Sequence, residues 1–450
     1  MRRAAFHTLG CKTNSYETQA IREQFEKAGY EIVGFSERAD VYIINTCSVT
    51  AVASQKSRQM IHRVRKLSPD ALVAACGCYA QEASEKLLAD GSVDLVIGNN
   101  EKSKILTLVE ERLQSLIGEG QGKERPEILV DDLSGCREYE PQSITNAGDH
   151  VRAYVKIQDG CNRFCSYCII PYLRGRSRSR DPEEILKEVK TLAESGIREI
   201  VLTGIDISDY RKEDGEKSGK DSGGSDLAEL IFQIEEVQGI ERIRLGSLEA
   251  GIITPEFLKA IRASKKLCPH FHLSLQSGCD ATLKRMNRHY TTEEFLDSLN
   301  RIRGMFELPS VTTDVIAGFA GETAEEFSET KEFVRKAGFS QLHVFPYSRR
   351  KGTRADRMSG QLTKAEKALR AGELIAIGEE LQEAYMSRFL GREIKILAEE
   401  VVRIHGQDHL IGFTPEYVKA AIPGNIKDVN KIVTIIPKEI ISFEREKILI

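Results

Sequence analysis

Short aliphatic runs alternate with amphipathic stretches through the first hundred residues. Ala4 to Leu9, Val41 to Asn45, Ala71 to Ala75 and Val93 to Ile97 are apolar runs of strand length, which predicts buried strands. Between them a helical periodicity runs from Tyr16 to Ala28 and closes at Gly29, and a basic helix carrying Lys56, Arg58, Arg63, Arg65 and Lys66 follows the second run. This alternation predicts a parallel, doubly wound α/β sheet, in which ligands bind beyond the carboxyl ends of the strands. Cys11, Cys47 and Cys78 each follow one of the runs. Three thiols distant in sequence are therefore expected at one sheet edge.

A second series begins after a polar, irregular stretch rich in Gly, Pro, Asn and Asp. Strand-like runs recur at Ala153 to Ile157, Glu199 to Thr203, Arg242 to Leu245, Phe271 to Leu275, Val311 to Ile316 and Gln341 to Phe345. Asp181-Pro182 and Thr254-Pro255 place a capping side chain before a proline, the pattern of a helix start. Six such units predict a partial (β/α) barrel. Inside it, residues 206–226 form a Gly/Ser/Lys/Asp-rich insertion expected to be a mobile loop. From Tyr385 the pattern changes to β-branched runs such as Lys431 to Ile436, which predicts a small antiparallel β-barrel. The expected divisions are residues 1–120, a linker at 121–146, a barrel domain at 147–380 and a β domain at 385–450.

Charge narrows the functional classes. The 450 residues carry 64 Lys+Arg against 68 Asp+Glu, a formal charge of -4, so a uniformly polycationic nucleic-acid binder is excluded while a local basic patch is not. No apolar run reaches membrane-spanning length, and Gly10, Lys12 and Asn14 come too early for a secretory signal. A cytoplasmic protein is expected. In that compartment ten cysteines point to metal or redox chemistry rather than to disulfides.

Cys161, Cys165 and Cys168 form CxxxCxxC directly after Gly160, in the loop following the first strand of the second series. Three closely spaced thiolates can hold one side of an iron–sulfur cubane and leave its fourth iron open; half of a zinc site is the alternative, but a structural zinc needs a fourth ligand nearby.

A CxxxCxxC opening a six-unit βα barrel resembles the radical S-adenosylmethionine superfamily. The run Asp159 to Pro171 with Arg174-Gly175 and Ser177 to Arg180 resembles, more narrowly, the methylthiotransferases of that superfamily. So do Leu9 to Asn14, Asn45-Thr46-Cys47, Gly77 to Gln81, Ser274 to Gly278 and Asp314 to Glu322. The resemblance implies two 4Fe-4S clusters, one on Cys161, Cys165 and Cys168 and an auxiliary one on Cys11, Cys47 and Cys78. It also implies S-adenosylmethionine as cofactor, with Thr203, Gly204, Glu249, Ser274, Gln276 and Gly318 as candidate contacts. Cys76 falls two residues before the family position and reads as a strand cysteine. Cys136, Cys268 and Cys279 match no cluster position, although Cys279 stands where the family usually has a small polar residue. Phe319-Ala320 replaces the family's common phenylalanine-proline pair.

Substrate follows from finer detail. Phe6 to Lys12, Gln158 to Gly160 and His343 to Ser348 look like the branch that modifies threonylcarbamoyladenosine beside the tRNA anticodon; Lys12-Thr13 departs from the isopentenyladenosine branch. Alternatives are that second branch, a ribosomal-protein aspartate, or a non-catalytic metal-binding RNA scaffold. The implied partners are a tRNA anticodon stem-loop, a reductase or flavodoxin-type electron donor and a sulfur donor, with no membrane. Five arginines and no acid lie between Cys161 and Arg180, and Arg349, Arg350, Lys351, Arg354 and Arg357 form a second basic run; both suit phosphate contacts. The last module, with Ile411 to Tyr417, resembles the TRAM domain, although its ten basic and nine acidic residues are balanced.

Overall fold

A computed structural model describes residues 1–118, 127–148, 150–211 and 224–450. The chain divides into two compact units, one formed by Met1–Thr145, Lys156–Asp181 and Ser348–Asp356, the other by Asn146–Val155, Pro182–Tyr347 and Arg357–Ile450.

The first unit opens with β1 (Arg3–Thr8), α1 (Lys12–Lys27), β2 (Glu31–Val33), β3 (Val41–Thr46), α2 (Ala51–Leu67), β4 (Leu72–Gly77), α3 (Cys78–Asp90), β5 (Leu95–Ile97), α4 (Ile105–Gly118) and β6 (Glu127–Leu129). Its six strands form one sheet in the order β2-β1-β3-β4-β5-β6, every pairing parallel. All residues of β3 and β4 are buried, as a parallel sheet with helices on both faces requires. One face packs Ile61, Val64 and Leu87 of α2 and α3; the other packs Ile21 and Phe25 of α1 with Ile105 and Val109 of α4. The short strands β2 and β6 extend the expected sheet, β6 from within the stretch expected to be irregular.

The second unit carries β7 (Arg152–Lys156, its last residue in the first unit), α6 (Pro182–Glu194), β10 (Glu199–Thr203), α7 (Ser225–Glu235), β11 (Arg242–Leu245), β12 (Ser247–Leu248), α8 (Pro255–Arg262), β13 (His270–Leu273), α9 (Asp280–Arg285), α10 (Thr292–Met305), β14 (Ser310–Ala317), α11 (Ala324–Ala337), β15 (Gln341–Pro346) and α12 (Lys364–Met386). The intervening β8 (Gln158–Asp159), α5 (Ile170–Arg174) and β9 (Arg178–Ser179) belong to the first unit. The barrel strands follow sequence order in two sheets, β7-β10-β11 and β12-β13-β14-β15. Thr254 caps α8 through the Phe257 amide, as its sequence predicts. Of the 206–226 insertion, residues 212–223 lie outside the described residues.

β16 (Ile394–Ile404), β17 (Gln407–Phe413), β18 (Lys419–Pro423), β19 (Ile432–Ile435), β20 (Ile440–Phe443) and β21 (Glu446–Leu449) complete the second unit. They pair antiparallel except for β18 with β21, which is parallel. Buried Arg244 joins this sheet to the barrel: its Nε donates to Glu199 Oε1 at 2.9 Å, and its Nη atoms donate to the carbonyls of Pro415 and Thr414. Burial opposes ionisation of Glu199, but Arg244 beside it holds the carboxyl below its usual range. The rings of Phe413, Tyr417 and His270 stack in sequence, with Arg152 over the first two. The Ile411 to Tyr417 segment thus places its aromatic faces in packing within this unit.

Candidate metal centre

Cys11, Cys47 and Cys78 follow β1, β3 and β4, which are consecutive neighbours in the first sheet. Cys11 immediately precedes α1, its side chain making no capping bond, and Cys78 is the first residue of α3. Ser57 pins Cys47 by accepting from its amide at 3.1 Å and donating to its carbonyl at 3.0 Å. Thr46 Oγ1 accepts from the Ala80 amide at 3.0 Å, which fixes the first turn of α3. Asn14 Nδ2 donates to the carbonyls of Leu9 and Thr46, so it ties the β1 and β3 ends together. Burial pushes the Cys47 thiol up to about 11, and the Cys78 and Cys11 thiols are near enough to raise it further. Cys76 is fully buried in β4 and pushed by burial to about 12, which fits a strand cysteine.

Glycine is needed where this edge is tightest. Gly10 (φ +110°) lies so close to Cys47 that a Cβ there would stand 3.0 Å from its sulfur, and at Gly77 (φ +90°) a Cβ would overlap the Thr46 carbonyl. Close backbone approach and left-handed conformation both favour the residue without a side chain.

The second cysteine set lies in the same unit. The loop from Gly160 to Ile169 is held between β8 and β9, which pair antiparallel. The Cys161 amide donates to the Gly175 carbonyl at 3.1 Å, the Cys168 amide to the Cys165 carbonyl at 3.0 Å, and the Arg163 amide meets Cys161 Sγ at 3.5 Å. Gln158 Nε2 donates to the Gly160 carbonyl and to Ser177 Oγ. Cys161 and Cys165 are buried, and Cys168 is half-buried. Gly160→Ala, at φ +72° and with a Cβ overlapping the Arg176 carbonyl, is expected to distort this loop. Iron uptake by a variant lacking Cys11, Cys47 and Cys78 should fall at least tenfold when Gly160→Ala is added, which an iron assay after anaerobic reconstitution measures.

Beside Cys78 lies Arg174, fully buried. Its Nη1 donates to Glu17 Oε1 at 2.9 Å and Asp159 Oδ1 at 3.0 Å, its Nη2 to Asn14 Oδ1 at 2.7 Å and Glu17 Oε2 at 3.2 Å, and its Nε lies 3.4 Å from Cys78 Sγ. Glu17 also pairs with Lys102 and Lys156, and Asp159 with Lys156 and Arg178. Burial disfavours the Glu17 carboxylate, yet Arg174, Lys102 and Lys156 together hold it well below the usual carboxylate range. The sequence placed Arg174 in a motif but gave it no partner; Glu17, Lys102 and Lys156 carried no signal, because their charges meet only after folding.

This network corrects the electrostatic reading of the loop. Of its five arginines, Arg174, Arg178 and Arg180 are buried and spent on internal partners, which leaves Arg163 and Arg176 partly exposed; Arg176 sits over the Phe164 ring at 4.5 Å. Arg350 of the second basic run is likewise buried and paired with Glu82. A sequence shows the charge of these residues, not that folding turns them inward.

In the second unit the remaining candidates lie at or just beyond the carboxyl ends of barrel strands. Thr203 ends β10 and Gly204 follows it; Glu249 follows β12, Ser274 and Gln276 follow β13, and Gly318 follows β14. Arg288 Nη2 contacts Glu249 Oε2 at 2.5 Å and the Ser274 carbonyl at 2.9 Å. Gln276 (φ 68°) bridges to β14 through its backbone, donating to the Asp314 carbonyl and accepting from the Ile316 amide. At Gly318 (φ +73°) the close neighbour is Lys367 of α12, and its amide donates to Glu322 Oε2 at 2.9 Å. Cys279 is buried ahead of α9, its thiol pushed up by burial and by Glu329, which counts against reactivity. Cys268 is buried and pushed up by burial to about 12.

Among the described residues no three His, Cys, Asp or Glu side chains close on a single metal ion. A cubane spreads its thiolates over different irons, a wider triangle than a mononuclear zinc site. Soft thiol donors, three at one sheet edge and three in one loop, with Gly10 against the Cys47 sulfur, fit iron–sulfur ligation.

Fold and donor set together describe a radical S-adenosylmethionine enzyme. The family described as the Radical SAM superfamily matches residues 155–334, and the one described as Uncharacterized protein family UPF0004 matches residues 3–98. The chain is 40% identical over 437 residues, 97% of this chain and 93% of the relative, to the threonylcarbamoyladenosine tRNA methylthiotransferase MtaB of Bacillus subtilis (strain 168). It is 34% identical, over 95% of this chain and 92% of the relative, to the tRNA-2-methylthio-N(6)-dimethylallyladenosine synthase of Natranaerobius thermophilus. In fold it is similar to the radical S-adenosylmethionine methyltransferase TsrM from Kitasatospora setae (TM-score 0.54, 14% identity, 76% of this chain and 74% of that one). The chain belongs to the radical S-adenosylmethionine tRNA methylthiotransferases. Its cofactors are accordingly S-adenosylmethionine and 4Fe-4S iron–sulfur clusters, and its substrate is tRNA. No described helix is long and apolar enough to cross a membrane.

Proposed function

We propose that this enzyme methylthiolates N6-threonylcarbamoyladenosine, 3′-adjacent to the tRNA anticodon, to 2-methylthio-N6-threonylcarbamoyladenosine. The observation that carries the proposal is the pair of cysteine triplets in one compact unit, Cys11, Cys47 and Cys78 at adjacent strand ends and Cys161, Cys165 and Cys168 in the β8–β9 loop. Each triplet would hold one 4Fe-4S cluster. The choice of base is supported by the 40% identity to the Bacillus relative of that name.

Bound there, the clusters and S-adenosylmethionine supply a carbon-centred radical and a methylated sulfur for transfer to the base. The protein positions and shields them. Thr203 and Gly204 offer groups to the methionyl end of S-adenosylmethionine, with Glu249, Ser274 and Gln276 on its other polar parts and the backbone around Gly318 on its adenine. Arg288 orients Glu249 for that task. Residues 1–120 act as the auxiliary-cluster domain, 147–380 as the radical domain, and 385–450 as a TRAM module for the anticodon stem-loop. A cytoplasmic reductase or flavodoxin-type protein supplies electrons, and a separate donor supplies sulfur.

Nucleoside mass spectrometry of tRNA tests the substrate. A deletion strain should lose 2-methylthio-N6-threonylcarbamoyladenosine completely and regain it with the wild-type gene, but not with Cys161→Ala. Loss of the methylthio group from isopentenyladenosine instead would favour the second reading, for which the 34% identical Natranaerobius relative speaks.

A further inference from the structure

We propose that Arg174 sets the reduction potential of the cluster on Cys11, Cys47 and Cys78 by donating its Nε hydrogen to Cys78 sulfur; this rests on the assignment of those cysteines above. The two Nη groups are fully committed, to Glu17, Asp159 and Asn14, at 2.7–3.2 Å. That grip on both forks leaves Nε aimed at the sulfur, 3.4 Å away. Asn99 Nδ2, itself held by the Leu173 carbonyl at 2.9 Å, stands 4.0 Å from the same atom as a weaker second donor.

The donor is also a buried cation, so the Cys78 sulfur meets a positive charge as well as a hydrogen bond. A hydrogen bond and a cation at a ligating sulfur favour the more electron-rich cluster, so they raise its potential. Lysine could keep the charge of Arg174 but not the rigid fork that aims Nε.

The test uses the full chain carrying Cys161→Ala, Cys165→Ala and Cys168→Ala, so that only the auxiliary cluster is present. After anaerobic reconstitution it is titrated with dithionite, one electron entering the cluster and no bond breaking, and followed by electron paramagnetic resonance. Adding Arg174→Gln should make reduction at least tenfold less favourable, about 59 mV for one electron; Arg174→Lys should shift it less. Asn99→Ala, which removes no charge, should shift it in the same direction by a smaller amount and serves if Arg174→Gln holds no iron. An unchanged midpoint in the variants that do hold iron would overturn the proposal. A parent protein that takes up no iron would overturn the cluster assignment itself, a failure visible before any Arg174 variant is made.

Discussion

Glu17→Ala is expected to destabilise the first unit by about 3–5 kcal/mol, the usual cost of removing one partner from a buried ionic cluster. Glu17 is fully buried and is shared by Arg174, Lys102 and Lys156, so its loss takes the paired carboxylate from buried Lys102 and leaves Arg174 and Lys156 to share Asp159. Against a typical net stability of about 5–15 kcal/mol, the change should be plain in urea unfolding of the cluster-free protein followed by circular dichroism. Glu17→Gln should cost less, because the amide keeps an acceptor for Arg174. The same carboxylate gives a pH signature. Its folded-state pKa is depressed by the three cations, so the unfolded chain binds the proton first, and stability rises with pH across that interval. The contribution is complete above the ordinary glutamate pKa of about 4.3 and is lost as pH falls below it. Glu17→Gln should flatten the stability profile there; an unchanged acid limb would count against the network.

Cys78→Ala should abolish methylthiolation, while Cys76→Ala, two residues earlier, should leave it near wild type. Cys78 begins α3 at the sheet edge, beside Arg174, whereas Cys76 is fully buried in β4 and packs with Leu72 and Ala74. The Cys76 change removes one sulfur from a core and should cost about 1 kcal/mol, the middle of the range for point substitutions. Complementation of a deletion strain, read by nucleoside mass spectrometry, separates the two. Equal activity in both variants, or loss in both with normal protein levels, would misplace the auxiliary ligands.

The strand runs around Cys11, Cys47 and Cys78 were legible because parallel strands buried on both faces are written as continuous aliphatic segments, and because each cysteine comes directly after one. Six of the seven barrel strands were legible for the same reason, to within two residues at their ends; the two-residue β12 was not. The three-residue strands β2 and β6 were not, since so few positions carry no period. Nor was the Arg174 network. Arg174 is 157 positions from Glu17, and nothing local distinguishes an arginine bound for a buried carboxylate from one bound for phosphate. The same blindness made Arg178, Arg180 and Arg350 look available to RNA.

Iron counting with Mössbauer spectroscopy on three anaerobically reconstituted proteins tests the central claim most directly: the wild type, the Cys11/Cys47/Cys78→Ala variant and the Cys161/Cys165/Cys168→Ala variant. Two independent 4Fe-4S sites predict about eight irons in the first and about four in each of the others. A wild type with about four irons, or a triplet variant that keeps the full complement, would contradict it.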